Sequence, residues 1–306
     1  MTTAPFTRIL NPDKAKSDAR QFIDLAEPLL EEVVNYSTRA CGRCVSTNDN
    51  SYTDLPAFVL YLHIIEMTDG VRVLISQSCC EPAALLIRSS FEAFLSISYL
   101  LKDNYQNRSL SWLYFDNTGK IRKYQQLDPE STQGKNLAGA LRREGSNANL
   151  PRLSNEQLAY IRQLSGKQVF KPIEIEHERT KKERKIKPQW YTLFDGPQET
   201  QGLAKTLGME HIYIALYREW SEAVHARNSS RYIYTMSDGT IVGHQLRFSY
   251  HLLMYSFYAG YFLWATTDLM MNKFRPFEPN HAHWMEDIRN RLAELPGVDV
   301  KVLQTI

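Results

Sequence analysis

The chain has 306 residues, of which 43% are hydrophobic and 23% are charged, and it is therefore long and apolar enough to bury a large core. Its 36 lysines and arginines nearly balance its 34 aspartates and glutamates. This balance excludes a uniformly basic surface and restricts any nucleic-acid site to a local patch. The first ten residues lack the apolar core of a signal peptide, so we expect a cytoplasmic protein without structural disulfides.

Helical spacing of apolar residues dominates the first 126 residues and predicts an all-α fold. A predicted helix begins at Asn11-Pro12, where asparagine is a good cap and proline fits the first turn, and it ends near Thr38. Three further helices are predicted. The first follows Asp54, the second runs from Pro82 to Lys102, and the third runs from Arg108 to Gln126. The sequence thus predicts a helical bundle.

Residues 128–208 interrupt this pattern with a loop-rich, partly helical stretch. We predict a single domain, 1–306, in which 128–208 form an insertion between two helical halves. A basic run inside the insertion contains Lys181, Lys182, Arg184 and Lys185, which could contact the phosphates of a nucleic acid. Glutamates dilute this run, so a solvated helix face is the alternative.

The chain after residue 208 returns to helical patterns. A helix is predicted at 209–227, and the turn Ser237-Asp238-Gly239 between two β-prone runs predicts a small hairpin. Residues 248–267 contain no charged side chain, but their many polar groups favour a buried helix over a membrane span. A last helix is predicted at 283–295.

Two charged residues fall on an apolar stripe of the predicted helix 82–102. Arg88 and Glu92 are four residues apart and can pair directly. A buried charge pair has a large desolvation cost, so it is seldom kept for stability alone. The pair is either a functional element or a salt bridge that fixes the helix packing.

A second polar stripe contains Arg218, Ser221 and His225 on the predicted helix 209–227. Arg218 and His225 are seven residues apart, close to two full turns, and point almost the same way. A histidine titrates near neutral pH and suits proton transfer, whereas an arginine suits a phosphate. Alternatively, His225 is a core histidine whose hydrogen bonds are made by Ser221 or a backbone carbonyl.

An arginine and a histidine with six residues between them, late in a helical bundle, resemble the signature of the HEPN superfamily (higher eukaryotes and prokaryotes nucleotide-binding). The polar residue after the arginine is Glu219 here rather than asparagine. Many members of the superfamily are metal-independent ribonucleases of toxin–antitoxin and antiphage systems, and they act as dimers. The resemblance implies a homodimeric RNA-cleaving toxin or defence effector, with RNA and an antitoxin or other defence-system protein as partners.

In such an enzyme Arg218, Ser221, Glu222 and His225 would form the catalytic group, with Arg88 and Glu92 completing the pocket from the facing helix. No cofactor or metal is implied. A second resemblance rests on Arg88-x-x-x-Glu92 together with Tyr217-x-x-x-Ser221-x-x-x-His225. These motifs look like a bacterial family of helical proteins of unknown function, and the resemblance covers about residues 55–270 apart from the insertion.

Two other interpretations stay open. The chain could be a non-enzymatic protein-interaction module whose polar cluster only fixes helix packing, or an enzyme that modifies small molecules or nucleotides. The absence of G-x-G-x-x-G, Walker, H-E-x-x-H and G-x-S-x-G motifs speaks against P-loop, zinc-protease and α/β-hydrolase chemistry. The four cysteines lack the spacing of a typical zinc site.

Overall fold

The computed structural model describes residues 11–46, 50–128, 131–144, 159, 163, 167–224, 233–243, 247 and 249–296. The described chain is mainly α-helical, which confirms the predicted fold class. The helices are α1 Pro12–Asp18, α2 Arg20–Val45, α3 Leu55–Ser76, α4 Cys80–Lys102, α5 Tyr105–Leu127, α6 Thr132–Arg143, α7 Lys171–Arg184, α8 Thr200–Thr206, α9 Glu210–Ile212, α10 Arg218–Val224, α11 Leu252–Phe274 and α12 His281–Ala293.

The chain divides into two compact units. The first contains residues 1–102 and 200–306, and the second contains residues 103–199. The predicted insertion, 128–208, shares most of its length with the second unit but has different limits, because α5 belongs to the second unit and α8 to the first.

The core of the first unit lies where α2, α3, α4 and α11 pack against one another. Most of α11 is buried, which explains why its sequence carries almost no charge. Among the described helices, α4 alone is long and apolar enough to cross a membrane, and more than half of that stretch is buried inside the fold. The N-terminal helix starts as predicted, since the Asn11 side chain accepts a hydrogen bond from the backbone N–H of Lys14.

The second unit has a small core of its own, formed by α5, α7 and the loop after α7. Its buried apolar side chains are Leu110, Leu113, Phe170, Ile173 and Leu193. The sequence pattern did not predict α6, which begins where the Ser131 hydroxyl accepts the N–H of Gly134. A helix predicted at 154–164 lies almost wholly outside the described residues.

One feature separates the predicted helix 209–227 from the observed chain. The segment Tyr213–Tyr217 is a π-helix, set between α9 and α10. The predicted hairpin after it is confirmed: β1, Ile233–Thr235, pairs antiparallel with β2, Ile241–Gly243. Gly239 has a φ of +84° in the turn, a conformation that favours glycine.

Candidate functional site

Arg88 and Glu92 lie one turn apart on α4 and form the predicted ion pair. Arg88 Nη2 is 3.1 Å from Glu92 Oε1. The Arg88 side chain retains 20% of its exposure and the Glu92 side chain 45%, so the pair lies at the edge of the core rather than inside it. A charge pair in this position keeps access to solvent and to a ligand.

Tyr217 joins this pair from the π-helix. Its hydroxyl accepts a hydrogen bond from Arg88 Nη2 at 3.1 Å and donates one to Glu92 Oε1 at 2.6 Å. The Arg88 guanidinium also lies over the Tyr217 ring, 5.0 Å from its centroid, in a cation–π contact. The three side chains form a closed cluster, which we call the Arg88–Glu92–Tyr217 cluster.

The environment of Tyr217 keeps its hydroxyl protonated. Burial, and then the hydrogen bond to the Glu92 carboxylate, raise the pKa of Tyr217 to about 12. For Arg88, burial works to lower the pKa, but the contacts with Tyr217 and Glu92 outweigh it and leave the pKa raised. At neutral pH the cluster therefore holds one cation, one proton-donating phenol and their shared carboxylate acceptor.

The π-helix explains why Tyr217 reaches the cluster. A π-turn adds one residue to a helical turn and so shifts the face on which each following side chain lies. Tyr213 stacks on Tyr217 with ring centroids 4.8 Å apart, and Phe91 packs on the other side at 5.9 Å. The sequence pattern gave one clue to Tyr217, its four-residue spacing from Ser221.

No described hydrogen bond or ion pair joins Arg88 or Glu92 to Arg218, Ser221 or Glu222, the described members of the predicted catalytic group. Arg218 is exposed, and its described contact is a hydrogen bond from Nη2 to Gln201 Oε1 at 3.4 Å. Ser221 is half-buried and Glu222 is exposed. His225 lies outside the described residues. Thus the described partner of the Arg88–Glu92 pair is Tyr217 rather than Arg218.

The basic run predicted to contact nucleic acid lies at the end of α7. Lys181, Lys182 and Lys185 are exposed. Arg184 differs, because its Nη1 donates to the backbone carbonyls of Thr192 and Gly196, both at 2.9 Å. Its guanidinium fastens the following loop, so three of the four predicted residues present open cationic side chains.

Three of the four cysteines are far from activated. Burial raises the pKa of Cys41 to about 11 and that of Cys44 and Cys80 to about 12. Within the described part of the chain, no group of three or more His, Cys, Asp or Glu side chains is arranged to hold a metal ion.

Comparison with known protein families gives a match. Residues 54–240, more than half of the chain, match the model of a family of unknown function, DUF5677. The chain belongs to DUF5677. The region matched by DUF5677 contains all three members of the Arg88–Glu92–Tyr217 cluster and the whole of the second unit. No curated protein and no solved structure matches the chain.

Proposed function

We propose that this DUF5677 protein is a cytoplasmic, metal-independent ribonuclease that acts as a toxin or antiphage defence effector. The observation that carries the proposal is the Arg88–Glu92–Tyr217 cluster, a cation and a proton donor held together at a partly exposed edge of the core. The proposed site adds Arg218, Ser221 and Glu222 of α10, together with His225, which enters on the sequence alone.

RNA cleavage without a metal needs three kinds of group. A base removes the proton of the ribose 2′-hydroxyl, the 2′-oxygen attacks the adjacent phosphorus, and the 5′-oxygen leaves as an acid protonates it. His225 is the proposed base or acid. Tyr217 remains protonated and would donate to a phosphate oxygen by releasing its hydrogen bond to Glu92, while Arg88 and Arg218 are the proposed cations that balance the growing negative charge.

The second unit supplies the cationic surface that RNA requires. Residues 103–199 contain 17 lysines and arginines against 12 aspartates and glutamates, whereas the rest of the chain has 19 against 22. Exposed Lys181, Lys182 and Lys185 belong to this excess. We expect them to bind phosphates without sequence preference and with strong salt dependence. A homodimer, and an antitoxin or defence-system protein as partner, complete the proposal.

The alternative is a non-enzymatic interaction module, and one observation favours it. The Tyr217 hydroxyl has both its donor and its acceptor function used inside the protein. On this alternative the cluster only locks the π-helix onto α4.

The two functions are separated by expressing the protein in bacterial cells and measuring growth and RNA integrity. If the protein is a ribonuclease, the wild type should slow growth and fragment RNA, and His225→Ala and Arg218→Gln should abolish both effects. His211→Ala, which removes an exposed histidine from α9, is the matched control and should keep them. Intact RNA with the wild type, or equal cleavage by wild type and His225→Ala, would end the ribonuclease proposal.

A further inference from the structure

A second group of polar and aromatic side chains lies between α2 and α12, on helices that carry none of the residues proposed for the ribonuclease site. It surrounds a cavity of about 340 Å³. The side chains that matter are Tyr36 and Arg43 on α2, and Asn280, His283, Trp284 and Asp287 at and beyond the start of α12.

The wall of this cavity is a fixed aromatic pair. The rings of Tyr36 and Trp284 are nearly parallel, 8° apart, with centroids separated by 3.6 Å. The Tyr36 hydroxyl lies 3.0 Å from His281 Nδ1, and His281 Nε2 lies 3.2 Å from Asp268 Oδ1. If Asp268 accepts the Nε2 proton, Nδ1 is the acceptor for Tyr36, so three helices hold the tyrosine in place. Both rings stay partly exposed.

Charges of opposite sign flank the aromatic pair. Helices α2 and α12 run antiparallel, since Arg43 contacts Glu278 near the start of α12 while Glu32 contacts Arg291 near its end. Arg43 therefore lies beside the start of α12, whereas Asp287 lies one turn beyond Trp284 in the other direction. The cavity offers a cation at one end and a carboxylate towards the other.

The cation at the first end is not neutralised by its neighbour. Arg43 and Arg275 share the single carboxylate of Glu278, which leaves one positive charge in excess. Arg43 remains 47% exposed and keeps further N–H donors for a ligand. At the other end Asp287 is 3.4 Å from Arg291, which also binds Glu32, so here one guanidinium serves two carboxylates.

We propose that this cavity binds a small molecule in which an amino-bearing heteroaromatic ring is joined to an anionic group, as in an adenine nucleoside monophosphate. The ring stacks on the outer face of the Tyr36–Trp284 pair, the amino group donates to Asp287, and the anion accepts from Arg43. A simple anion would leave Asp287 unsatisfied, and a simple cation would be repelled by Arg43. The proposal is independent of the ribonuclease activity.

Isothermal titration of the full chain tests each part of the ligand separately. Adenosine monophosphate should bind saturably with one site per chain. Uridine monophosphate lacks the ring amine, adenosine lacks the anion and ribose 5-phosphate lacks the ring. Each of these three should bind about tenfold more weakly or worse, the expected loss for one hydrogen bond to a charged group or one stacked ring.

Two variants assign the ends of the ligand. Arg43→Gln should weaken adenosine monophosphate about tenfold, and its control Arg39→Gln, one turn earlier on the exposed face of α2, should leave binding unchanged. Asp287→Asn should remove the preference for adenosine over uridine monophosphate, whereas the exposed neighbour Glu286→Gln should keep it.

Melting curves accompany each variant, because Arg43 also pairs with Glu278. If Arg43→Gln fails to fold, Arg43→Lys retains the charge, and the Asp287→Asn preference decides the question. Absence of saturable adenosine monophosphate binding would overturn the proposal. So would equal binding of all four probes, or a preference that Asp287→Asn leaves intact.

Discussion

Tyr217 shows how one hydroxyl can serve both stability and chemistry. It joins α4 to the π-helix through two hydrogen bonds to charged groups and a cation–π contact. Hydrogen bonds to charged partners contribute more than neutral ones, and a partner left alone in a half-buried site keeps its desolvation cost. The same contacts hold the proton on Tyr217 at neutral pH.

Replacing Tyr217 by phenylalanine should therefore destabilise the protein by about 1–3 kcal/mol. The ring and its stacking on Tyr213 remain, while Arg88 and Glu92 lose their shared partner. The free energy of unfolding in urea measures the effect. Tyr213→Phe is the control, since no described residue hydrogen-bonds the Tyr213 hydroxyl, and equal losses for the two variants would contradict the assigned role.

Glu176 connects parts of the second unit in the way that Tyr217 connects α4 to the π-helix. Its carboxylate accepts hydrogen bonds from Arg179, from the Thr180 hydroxyl and from the backbone N–H of Phe194. These contacts hold the pKa of Glu176 below its ordinary value of 4.5. The hydrogen bonds from Arg179 have the largest effect, and those from the backbone N–H of Phe194 and the Thr180 hydroxyl add to it, whereas burial opposes them.

A lowered folded-state pKa fixes the sign of the pH dependence. The unfolded chain binds the proton first, so the stabilisation is complete above about pH 4.5 and is lost as the pH falls through the folded-state pKa. Glu176→Gln should lower stability at pH 7 and flatten the decline in acid, measured by urea unfolding at several pH values. The exposed control Glu178→Gln should retain the wild-type acid profile.

The predicted and observed helices agree in most of the first unit and differ between residues 209 and 224. Apolar periodicity was sufficient for α3, α4, α5 and α11, because each buries a face large enough to repeat over several turns. Periodicity also placed Arg88 beside Glu92. It failed across 209–224, where a stripe counted at 3.6 residues per turn put Ile214 and Arg218 towards the core, yet both are exposed.

The π-helix is the physical reason for that failure. One extra residue per turn changes the direction in which the following side chains point. Local helix propensity does not predict a π-turn, because the π-turn depends on the packing of Tyr217 against α4. The stripe counted at 3.6 residues per turn therefore did not single out Tyr217, whose hydroxyl contacts Arg88 and Glu92. The pattern also missed α6, because Gly134 and Gly139 lower its helix propensity, and the Ser131 cap was needed to place its start.

The residue that ends α7 allows a prediction about the stability of the second unit and about its RNA affinity. Lys185 ends the helix with a φ of 52°, a left-handed conformation that favours glycine. Lys185→Gly should stabilise the second unit by about 1 kcal/mol, whereas Lys181→Gly, inside the helix, should destabilise it by a similar amount. Both variants remove one exposed lysine and so change the net charge equally. If they weaken RNA binding by different amounts, the difference is due to the position of the lysine and not to its charge.

At the scale of the whole molecule, the two units have separate cores. The first is built on α2, α3, α4 and α11, and the second on α5, α7 and the loop that Arg184 fastens. Cooperativity follows contiguous packing, so each unit is expected to unfold in its own transition.

Two glycines, one in each unit, test this expectation. Gly42 in α2 and Gly119 in α5 have open space where a Cβ would lie, so alanine gains helix propensity worth about 1 kcal/mol without a clash. Gly119→Ala should raise the melting temperature of one calorimetric transition by about 4–8 °C, and Gly42→Ala should raise that of the other by about 2–4 °C, because a larger unit has a larger unfolding entropy. The transition lowered by Glu176→Gln must be the one that Gly119→Ala raises. A single transition that both alanine variants shift together would mean that the chain unfolds as one cooperative body, despite its two cores.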